Sequence, residues 1–408
     1  MYKSILAFSF SILTVICFNQ IEIYSIDPFS ENNSDLNKLD SVFTSKRVIG
    51  LGESTHGTSE FTTMRLRIFK YLVEHHNYNT FFLEADGIAC MDANRYVNGD
   101  NIHIDSAMTH IYLWPWNTEE FRRILIWMRK FNETNSNKLK FVGVDSQMLF
   151  DVKNEIREHL IHDSSQFKEL YELFDTTQFT IDKDSIKFAK LKQIWSEIKT
   201  SLLRSQDDRD QLLIRDMDQW IYFKSLKDFR TKSNFRDSVM AQNIKIHLDE
   251  NSTEKGIYFA HNAHVSRRHQ YYKSSNYHRK YGGYYLSELI HSDYYCIGLD
   301  FFKGTFNALD LIDGKPKMKE FTEQVVSKKE VAYIMKNMSA DIYFIPEGYF
   351  NAINKMKMNH IGAGYGTSSI KGYKYYRTQS VQKNQFDAFI IFRETSPSKL
   401  KGRFKPYK

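Results

Sequence analysis

Residues 47–57 have the sequence RVIGLGESTHG. The apolar run before Gly52 has the length and the Val and Ile content of a buried strand, and the glycines that follow allow the chain to turn sharply. Glu53 and His56 then stand together on one short loop. A buried strand that ends in a polar loop is typical of a parallel sheet, in which ligands bind outside the carboxyl ends of the strands.

Six further apolar runs rich in Val, Ile, Phe and Tyr recur along the chain, and most are followed by a turn and a helical pattern. This alternation predicts an α/β fold with a mostly parallel sheet and helices on its faces. The seven predicted strands are 47–52, 80–83, 140–144, 256–260, 294–299, 341–346 and 386–392.

The segment between Gly143 and Gly256 contains neither Gly nor Pro, and its Lys, Glu, Gln, Leu and Ile residues follow a helical spacing. That composition favours long helices over strands and tight turns. We therefore predict a helical subdomain over residues 149–253, inserted into an α/β catalytic domain formed by residues 25–148 and 254–408. The sequence shows no flexible linker, so the two parts are expected to pack as one body.

The overall composition is that of a globular protein. Of 408 residues, 42% are hydrophobic and 15% aromatic, which excludes a disordered or collagen-like chain. The formal charge of +7 comes from basic and acidic residues scattered along the sequence, without a basic stripe that could follow a phosphate backbone. We expect no nucleic-acid partner and a small molecule as the ligand.

The N-terminus has the features of an export signal. Lys3 is followed by an apolar run over residues 5–17 that is too short to span a bilayer. The sequence thus predicts a signal peptide over residues 1–24 and an exported protein, either periplasmic or extracellular. Two alternatives remain open at this stage, namely a lipid anchor on Cys17 and a buried N-terminal helix. The only membrane contact that we expect is such an N-terminal anchor.

The cysteines are too few for a disulfide scaffold and lack the spacing of a zinc site. They are Cys17, Cys90 and Cys296. Their spacing excludes a zinc ribbon, and a single bridge between Cys90 and Cys296 remains open.

Ionisable residues follow six of the seven predicted strands directly. One such residue is usually a capping or surface group, but six in one chain favour an active cleft at the carboxyl edge of the sheet. These residues are Glu53, Glu84, Asp145, His261, Asp300 and Glu347.

The loop after the first predicted strand and the helix after it carry charged residues that an ordinary apolar core would not contain. A carboxylate beside an imidazole can hold a proton acceptor ready, as general-base activation of water requires. Arg65 falls in the middle of an apolar helix face, where a guanidinium needs carboxylate partners, and Glu53 and Glu84 are the expected partners. Arg67 is interpreted as a surface charge.

A second polar cluster, Ala260-His261-Asn262-Ala263-His264, follows the fourth predicted strand. The two histidines could stabilise an oxyanion or act in acid–base catalysis, ligate a metal, or cap the next element. The signatures of a serine-nucleophile hydrolase, a P-loop NTPase and a Rossmann oxidoreductase are not found in the sequence.

Taken together, the residues resemble the erythromycin esterase family. The resemblance rests on three blocks in the expected order, with softer matches around Trp114-Pro115-Trp116-Asn117, Gly143–Gln147, Arg236–Asp237 and the closing Phe386–Phe389. The three blocks are Gly52–Phe61 with Arg65, then Leu83–Asp86, then Ala260–Val265.

The resemblance implies a three-layer α/β sheet fold with a helical part beside a deep cleft, and an esterase that needs no cofactor and no metal. It implies that His56 activates water and that Glu53, Arg65, Glu84 and His261 support it. His264 is a lesser neighbour, and Asp145 and Trp116 are expected to contact the substrate.

Three functional hypotheses follow from the residues and the resemblance. The first is a hydrolase that cleaves an ester, with a macrolide lactone as a candidate substrate and antibiotic resistance as a candidate role. The second is a metal-dependent hydrolase that uses the same His and Glu residues. The third is a protein that binds a small ligand without catalysis.

Overall fold

The computed structural model describes residues 24–146, 156, 165–177, 184–205, 207–272, 276–310, 317–350, 356–365 and 377–402. The predicted signal peptide therefore lies outside the described residues except for its last residue, Tyr24. Tyr24 pairs with Phe344 at the edge of the main sheet.

Within the described ranges the main sheet has ten strands, and its core is parallel. Six strands lie side by side in the order β14-β8-β2-β5-β3-β4, and every pairing among them is parallel. The strands of the chain are β1 (Tyr24–Ser25), β2 (Val48–Leu51), β3 (Thr80–Asp86), β4 (Lys140–Asp145), β5 (Gly256–Phe259), β6 (Gln270–Tyr272), β7 (Tyr277–Arg279), β8 (Tyr294–Asp310), β9 (Lys317–Gln324), β10 (Ile342–Pro346), β11 (Met356–Asn359), β12 (Gly364–Tyr365), β13 (Thr378–Val381) and β14 (Ala388–Thr395).

All seven predicted strands are present as β2, β3, β4, β5, β8, β10 and β14, and the predicted α/β class is confirmed. Strand β10 departs from the parallel arrangement, since it pairs antiparallel with β14 on one side and with β1 on the other. Strand β8 continues well past its predicted end and forms an antiparallel hairpin with β9. The sequence analysis did not predict β9, because its side chains are mostly exposed and polar.

Helices cover both faces of the sheet. Neighbouring residues of a strand point to opposite faces, so Phe81 packs into one apolar core and Phe82 into the other. The helices are α1 (Asp40–Thr44), α2 (Ser59–His76), α3 (Gly87–Val97), α4 (Ile104–His110), α5 (Glu119–Thr134), α6 (Ser165–Thr177), α7 (Ser185–Leu202), α8 (Asp208–Ser225), α9 (Phe229–Glu250), α10 (Asn262–Val265) and α11 (Gly282–Ile290).

Helices α2 and α5 pack on one face of the sheet, and α9 and α11 pack on the other, which gives three layers. Phe61 and Ile124 belong to the first core, whereas Ile244 and Leu286 belong to the second. The fold is thus a largely parallel sheet between two helical layers, as expected.

Helices α6 to α9 occupy the described part of residues 149–253. Trp195 and Trp220 lie in a third apolar cluster formed by α6, α7 and α8 together with Ile88. Helix α9 is not part of that cluster. It packs on the sheet, where the Asn243 side chain donates a 2.9 Å hydrogen bond to the Val144 carbonyl. The division into a catalytic domain and a helical subdomain stays a prediction.

Two residues expected at the carboxyl edge of the sheet lie elsewhere. Because β10 is antiparallel, Glu347 follows it at the opposite edge, where its amide donates a 3.0 Å hydrogen bond to Asp387, just before β14 begins. Asp300 lies inside the long strand β8 and accepts a 2.7 Å hydrogen bond from the side chain of Asn359. Neither residue is among those that line the cleft described below.

Two smaller expectations, on Arg67 and on the cysteines, are settled by burial and pairing. Arg67 is not a surface charge, since it is only 7% exposed and its Nη2 lies 2.6 Å from Asp35. Cys90 and Cys296 are both buried and are not joined by a disulfide bond. Among the described residues no helix combines the length and apolar character needed to cross a membrane.

Gly143 in β4 allows the irregular end of β3, which carries Glu84, to approach closely. A Cβ at Gly143 would lie 2.3 Å from the Asp86 carbonyl oxygen, and backbone cannot move aside as a side chain can. We expect Gly143→Ala to lower the free energy of unfolding by about 1–3 kcal/mol, measured by urea denaturation.

Gly298 in β8 provides the matched control. A Cβ there would meet only side-chain atoms, the nearest being Cδ1 of Phe389 at 3.1 Å. We expect a smaller loss for Gly298→Ala than for Gly143→Ala, and equal losses would contradict the backbone clash.

Candidate active site

The loop that follows β2, residues 53–57, is fixed by contacts with distant parts of the chain. The His56 amide donates a 3.3 Å hydrogen bond to the Gly362 carbonyl. Gly57 lies so close to β8 that a Cβ there would be 1.9 Å from the Asn307 carbonyl oxygen. The loop is therefore wedged between β8 and the segment before β12, which limits how far His56 can move.

Glu53 and His56 form the first functional pair. Glu53 Oε1 lies 2.5 Å from His56 Nδ1, and the carboxylate is only 1% exposed. Burial lowers the pKa of His56, but the charge and hydrogen bond of Glu53 outweigh burial, and Glu84 adds to them, so the pKa is raised above its ordinary value. Because Nδ1 is held by the carboxylate, Nε2 is the ring nitrogen available for chemistry.

Arg65 joins the loop to β5. Its guanidinium is fully buried and donates three hydrogen bonds, to the Gly52 carbonyl at 3.0 Å, to Glu53 Oε2 at 2.8 Å and to the Ala260 carbonyl at 2.8 Å. The guanidinium also lies 3.6 Å from the ring centre of Phe259. Burial lowers the pKa of Arg65 to about 10, which still leaves the side chain charged at neutral pH.

Glu84 does not pair with Arg65 as expected. Arg65 donates to Glu53, whereas Glu84 Oε1 lies 2.7 Å from Arg236 Nη2 and 3.1 Å from His264 Nε2. Glu84 acts on Arg65 only through its charge. The site therefore contains two carboxylate-centred clusters, and the prediction assigned both carboxylates to one.

The second cluster keeps Glu84 ionised. Burial alone would raise the pKa of Glu84, but His264, Arg236 and His56 outweigh burial and lower it to about 2. The second oxygen, Oε2, accepts a 2.8 Å hydrogen bond from the His261 amide. Glu84 thus ties the end of β3 to the loop after β5.

Asp237 continues this cluster on the far side of His264. Asp237 Oδ1 lies 2.7 Å from His264 Nδ1, and Oδ2 lies 2.5 Å from Arg279 Nη2. Burial would raise the pKa of Asp237, but His264 and Arg279 lower it to about 2. Both ring nitrogens of His264 consequently face carboxylate oxygens, which fixes the plane of the ring.

Asp145 lies beneath the cleft and not on its surface. The carboxylate is 1% exposed and accepts hydrogen bonds from Arg236 Nε at 2.9 Å and from Arg236 Nη2 at 2.6 Å. Burial would lower the pKa of Arg236, yet Asp145 and Glu84 raise it well above its ordinary value. Arg236, which binds Asp145, is the residue of this pair that lines the cleft.

His261 presents a neutral donor. Its Nδ1 accepts a 3.2 Å hydrogen bond from the Ala263 amide at the start of α10, so the proton of a neutral ring is on Nε2. Burial lowers the pKa of His261 well below its ordinary value, and the charges of His360, His56 and His264 lower it further. His261 Nε2 is buried and makes no hydrogen bond of good geometry in the described part of the chain, although the nearby Ser54 carbonyl acts to raise the pKa of the ring.

A cleft of about 650 Å³ lies at this site, with His56, Trp116 and His261 among its lining residues. His56 and His261 lie with ring centres 5.4 Å apart, and Trp116 lies 5.8 Å from His56 in an edge-to-face arrangement. The remaining lining contains both apolar and charged side chains. Its other lining residues are Glu84, Leu113, Trp114, Pro115, Phe223, Phe229, Lys232, Ser233, Arg236, Ala263, His264, Arg279, Tyr281, Leu309, His360, Ile361, Gly362 and Ala363.

The structure thus brings together all six residues predicted to be catalytic, His56, Glu53, Arg65, Glu84, His261 and His264. His56, Glu84, His261 and His264 line the cleft. Glu53 and Arg65 do not line it and are hydrogen-bonded to each other. Of the two predicted substrate contacts, Trp116 lines the cleft and Asp145 does not. Their catalytic roles stay predictions.

The chain that carries this site matches a known protein family. The family model for erythromycin esterase matches residues 73–395. The chain belongs to the erythromycin esterase family. The matched residues include Glu84 and the His261 loop, whereas residues 52–57 and Arg65 precede them. Membership of this family supports a hydrolase.

Two relatives have low sequence identity to this chain. Erythromycin esterase type II of Escherichia coli is 22% identical over 275 residues, which cover 58% of this chain and 65% of that protein, slightly less than two thirds of its length. The Bacillus subtilis (strain 168) protein YbfO, provisionally named a hydrolase, is 24% identical over 414 residues, which cover 91% of this chain and 89% of that protein.

Two solved structures share the fold. A crystal structure of a Bacillus cereus protein has a TM-score of 0.74 at 22% identity and covers 92% of this chain and 95% of that chain. A histidine-to-asparagine variant of the erythromycin esterase EreC, in its open conformation, has a TM-score of 0.65 at 17% identity and covers 92% of this chain and 97% of that chain. At these identities the likeness concerns the fold alone.

The carboxylates at this site are engaged by other groups of the protein, which bears on the alternative of a metal centre. Among the described residues no group of three or more His, Cys, Asp or Glu side chains is arranged to hold a metal ion. Glu53 and Glu84 each already use both carboxylate oxygens in bonds to cationic or N–H groups.

Part of the second cluster was not predicted as a site. Arg236 and Asp237 were noted only as soft family matches. Asp237 is followed by Met240 and Ile244 at helical spacing, so it lies on the buried face of α9 and shows the same conflict that identified Arg65. His360 was not predicted as a site residue, because it follows β11, a strand that was not predicted.

The three hydrogen bonds of Arg65 require a guanidinium and not merely a positive charge. We expect Arg65→Lys to lower the free energy of unfolding by about 1–3 kcal/mol for each buried acceptor left without a donor. Urea denaturation followed by circular dichroism measures this loss.

Arg95→Lys is the matched control, because Arg95 is 47% exposed and its 2.8 Å bond to Asp100 lies at the surface. We expect little change there. A similarly small loss for Arg65→Lys would show that charge alone suffices at the buried position.

Proposed function

We propose that this protein hydrolyses the ester bond of a small molecule by means of a water that His56 activates. The observation that carries the proposal is the 2.5 Å contact between Glu53 Oε1 and His56 Nδ1, which orients the ring and raises its pKa. Family membership supports hydrolysis, and the cleft offers space for a substrate beside His56.

The proposed first step is attack of water on the ester carbonyl carbon. A water proton moves to His56 Nε2 while the water oxygen forms a bond to carbon, and the carbonyl oxygen becomes an oxyanion. His261 Nε2–H donates to that oxyanion, because its proton is fixed on Nε2 and makes no hydrogen bond of good geometry in the described structure.

The proposed second step is collapse of the tetrahedral intermediate. The carbonyl forms again, the bond to the alcohol oxygen breaks, and that oxygen takes the proton from His56 Nε2. Glu53 stabilises the imidazolium between the two steps, and Arg65 keeps the carboxylate in place. Since water attacks directly, no covalent acyl-enzyme forms.

The second cluster serves this reaction by positioning. Glu84 accepts the amide hydrogen of His261, and Arg236 and His264 hold Glu84 in turn. Each member of the cluster has an oppositely charged or hydrogen-bonding partner, so the cluster stays ordered when the cleft is empty.

The proposed substrate is an ester with a bulky apolar part. The cleft volume of about 650 Å³ and the apolar wall of Leu113, Trp114 and Trp116 suit such a molecule. A macrolide lactone is the first candidate, since relatives are named for erythromycin, and antibiotic resistance is the corresponding role. The export predicted from residues 1–24 would place the reaction outside the cytoplasm.

Turnover of an ester panel tests the proposal. We expect purified protein to add one water to a macrolide lactone or to simple aryl esters, and His56→Ala to lower kcat by at least about 100-fold through loss of the base. Mass spectrometry detects the added water. His75→Ala, which changes an exposed histidine at the end of α2, is the control.

The other outcomes separate the alternatives. Loss of turnover after chelation would favour the metal-dependent hydrolase. Turnover of aryl esters alone would support the proposed mechanism and exclude a macrolide as the substrate. If nothing turns over while ligands still bind to His56→Ala, the protein binds without catalysis and the proposal fails.

The pH profile tests the Glu53–His56 pair. The base must be neutral, so wild-type kcat/KM falls as the pH decreases through the raised pKa of His56. In Glu53→Gln the raising charge is lost while burial remains, so we expect the acidic limb to move to lower pH and the plateau to fall.

Glu60→Gln is the control for the pH profile, because Glu60 bonds to Ser396 outside the cleft. Its acidic limb should match that of the wild type. An unshifted limb in Glu53→Gln would mean that another group sets the pH dependence.

A further inference from the structure

His360 is a cleft residue that the proposed mechanism does not use. It follows β11, and its ring centre lies 4.8 Å from that of His261 at an interplanar angle of 65°. His261 in turn lies 5.4 Å from His56. Three imidazoles from three separate loops thus lie together in the cleft, and the ring of His261 is close to both of the others.

The backbone on both sides of His360 is tied down. Before it, the Asn359 side chain donates a 2.7 Å hydrogen bond to Asp300 in β8. After it, the Ile361 amide donates a 2.8 Å hydrogen bond to the Ser54 carbonyl in the loop that carries Glu53 and His56. The His360 amide itself donates a 2.7 Å hydrogen bond to the carbonyl of Arg377.

The side chain of His360, in contrast to its backbone, has an unused polar atom. Its Nδ1 is buried and has no hydrogen-bond partner among the described residues. Burial lowers the pKa of His360 to about 4, and the charges of His264 and His56 act in the same direction, so the ring is neutral at neutral pH. A buried polar atom without a partner is costly unless a ligand supplies the partner.

We propose that His360 carries its proton on Nδ1 and is a second donor to the oxyanion, so that the substrate carbonyl oxygen binds between His360 Nδ1–H and His261 Nε2–H. Both nitrogens are buried, neither makes a hydrogen bond of good geometry in the described structure, and their rings are adjacent. One oxygen can accept two hydrogen bonds at once, which is how paired donors stabilise tetrahedral intermediates. The inference rests on the proposed ester hydrolysis and adds a catalytic residue to it.

Neutral imidazoles suit this role. Neutral donors at a fixed position stabilise the negative charge that develops on the oxygen and do not compete with His56 for the proton of water. The firm anchoring of the segment around His360 serves the same purpose, because such donors must be in place before the charge develops.

The test compares His360→Ala and His360→Gln with the wild type. We expect His360→Ala to lower kcat by roughly 100-fold to 1000-fold, with a much smaller change in KM. A phosphonate monoester of the best aryl alcohol, which mimics the tetrahedral intermediate, should lose affinity by a similar factor. Glutamine retains an N–H donor and should restore part of both losses.

His269→Ala is the control for replacing a histidine of a ring pair. Its ring lies 4.8 Å from that of His278, outside the residues that line the cleft. Turnover and phosphonate affinity should match the wild type in this variant. Thermal unfolding of each variant separates a general loss of stability from a loss of the donor.

The outcomes distinguish this inference from the proposed function. If the wild type hydrolyses esters, His56→Ala does not, and His360→Ala keeps kcat within about twofold, the hydrolase stands and His360 is not a donor. A large fall in kcat without loss of phosphonate affinity would likewise overturn the inference. If the wild type hydrolyses no ester and binds no phosphonate, both proposals fail.

Discussion

The buried guanidinium of Arg65 is the interaction on which the geometry of the site depends. It binds the Gly52 carbonyl after β2, the Glu53 carboxylate and the Ala260 carbonyl after β5, so it joins the ends of two adjacent parallel strands. A planar guanidinium with five N–H donors can reach two backbone carbonyls and a carboxylate together. The position of His56 follows, because its partner Glu53 is held there.

The two carboxylate clusters have different tasks, although the same physics forms them. In the first, the Glu53 carboxylate faces one imidazole and one buried guanidinium. In the second, Glu84 and Asp237 bracket His264 and are further neutralised by Arg236 and Arg279. The first cluster suits the proton transfer proposed above, and the second suits a positioning role.

The fold was predictable to the extent that burial leaves a pattern in the sequence. Parallel core strands are apolar on both faces, so β2, β3 and β5 stand out as continuous runs. Strand direction leaves no such pattern, and Glu347 was therefore assigned to the wrong edge when β10 proved antiparallel. Exposed β9 gave no apolar run, and the full length of β8 was missed with it.

The site was predictable where a charge interrupts an apolar face. Arg65 was found in this way, and Asp237 could have been, since it shares the buried face of α9 with Met240 and Ile244. Which carboxylate pairs with which cation depends on distances between loops, so the partner of Glu84 could not be inferred from the sequence. His360 lies at the end of the short strand β11 and is brought to the cleft only by tertiary contacts.

The hydrogen bond between the Ile361 amide and the Ser54 carbonyl has a consequence for biosynthesis. The two residues lie near opposite ends of the chain, and β14, which pairs with β8 beside them, is later still. Contacts of such long sequence separation form late in folding, because the intervening chain must first be ordered. A nascent chain still attached to the ribosome can thus assemble the first strands and helices, but the catalytic loop acquires its final geometry only after nearly all of the polypeptide has emerged. Premature termination would leave a chain with His56 in place in the sequence and no site in which it could act.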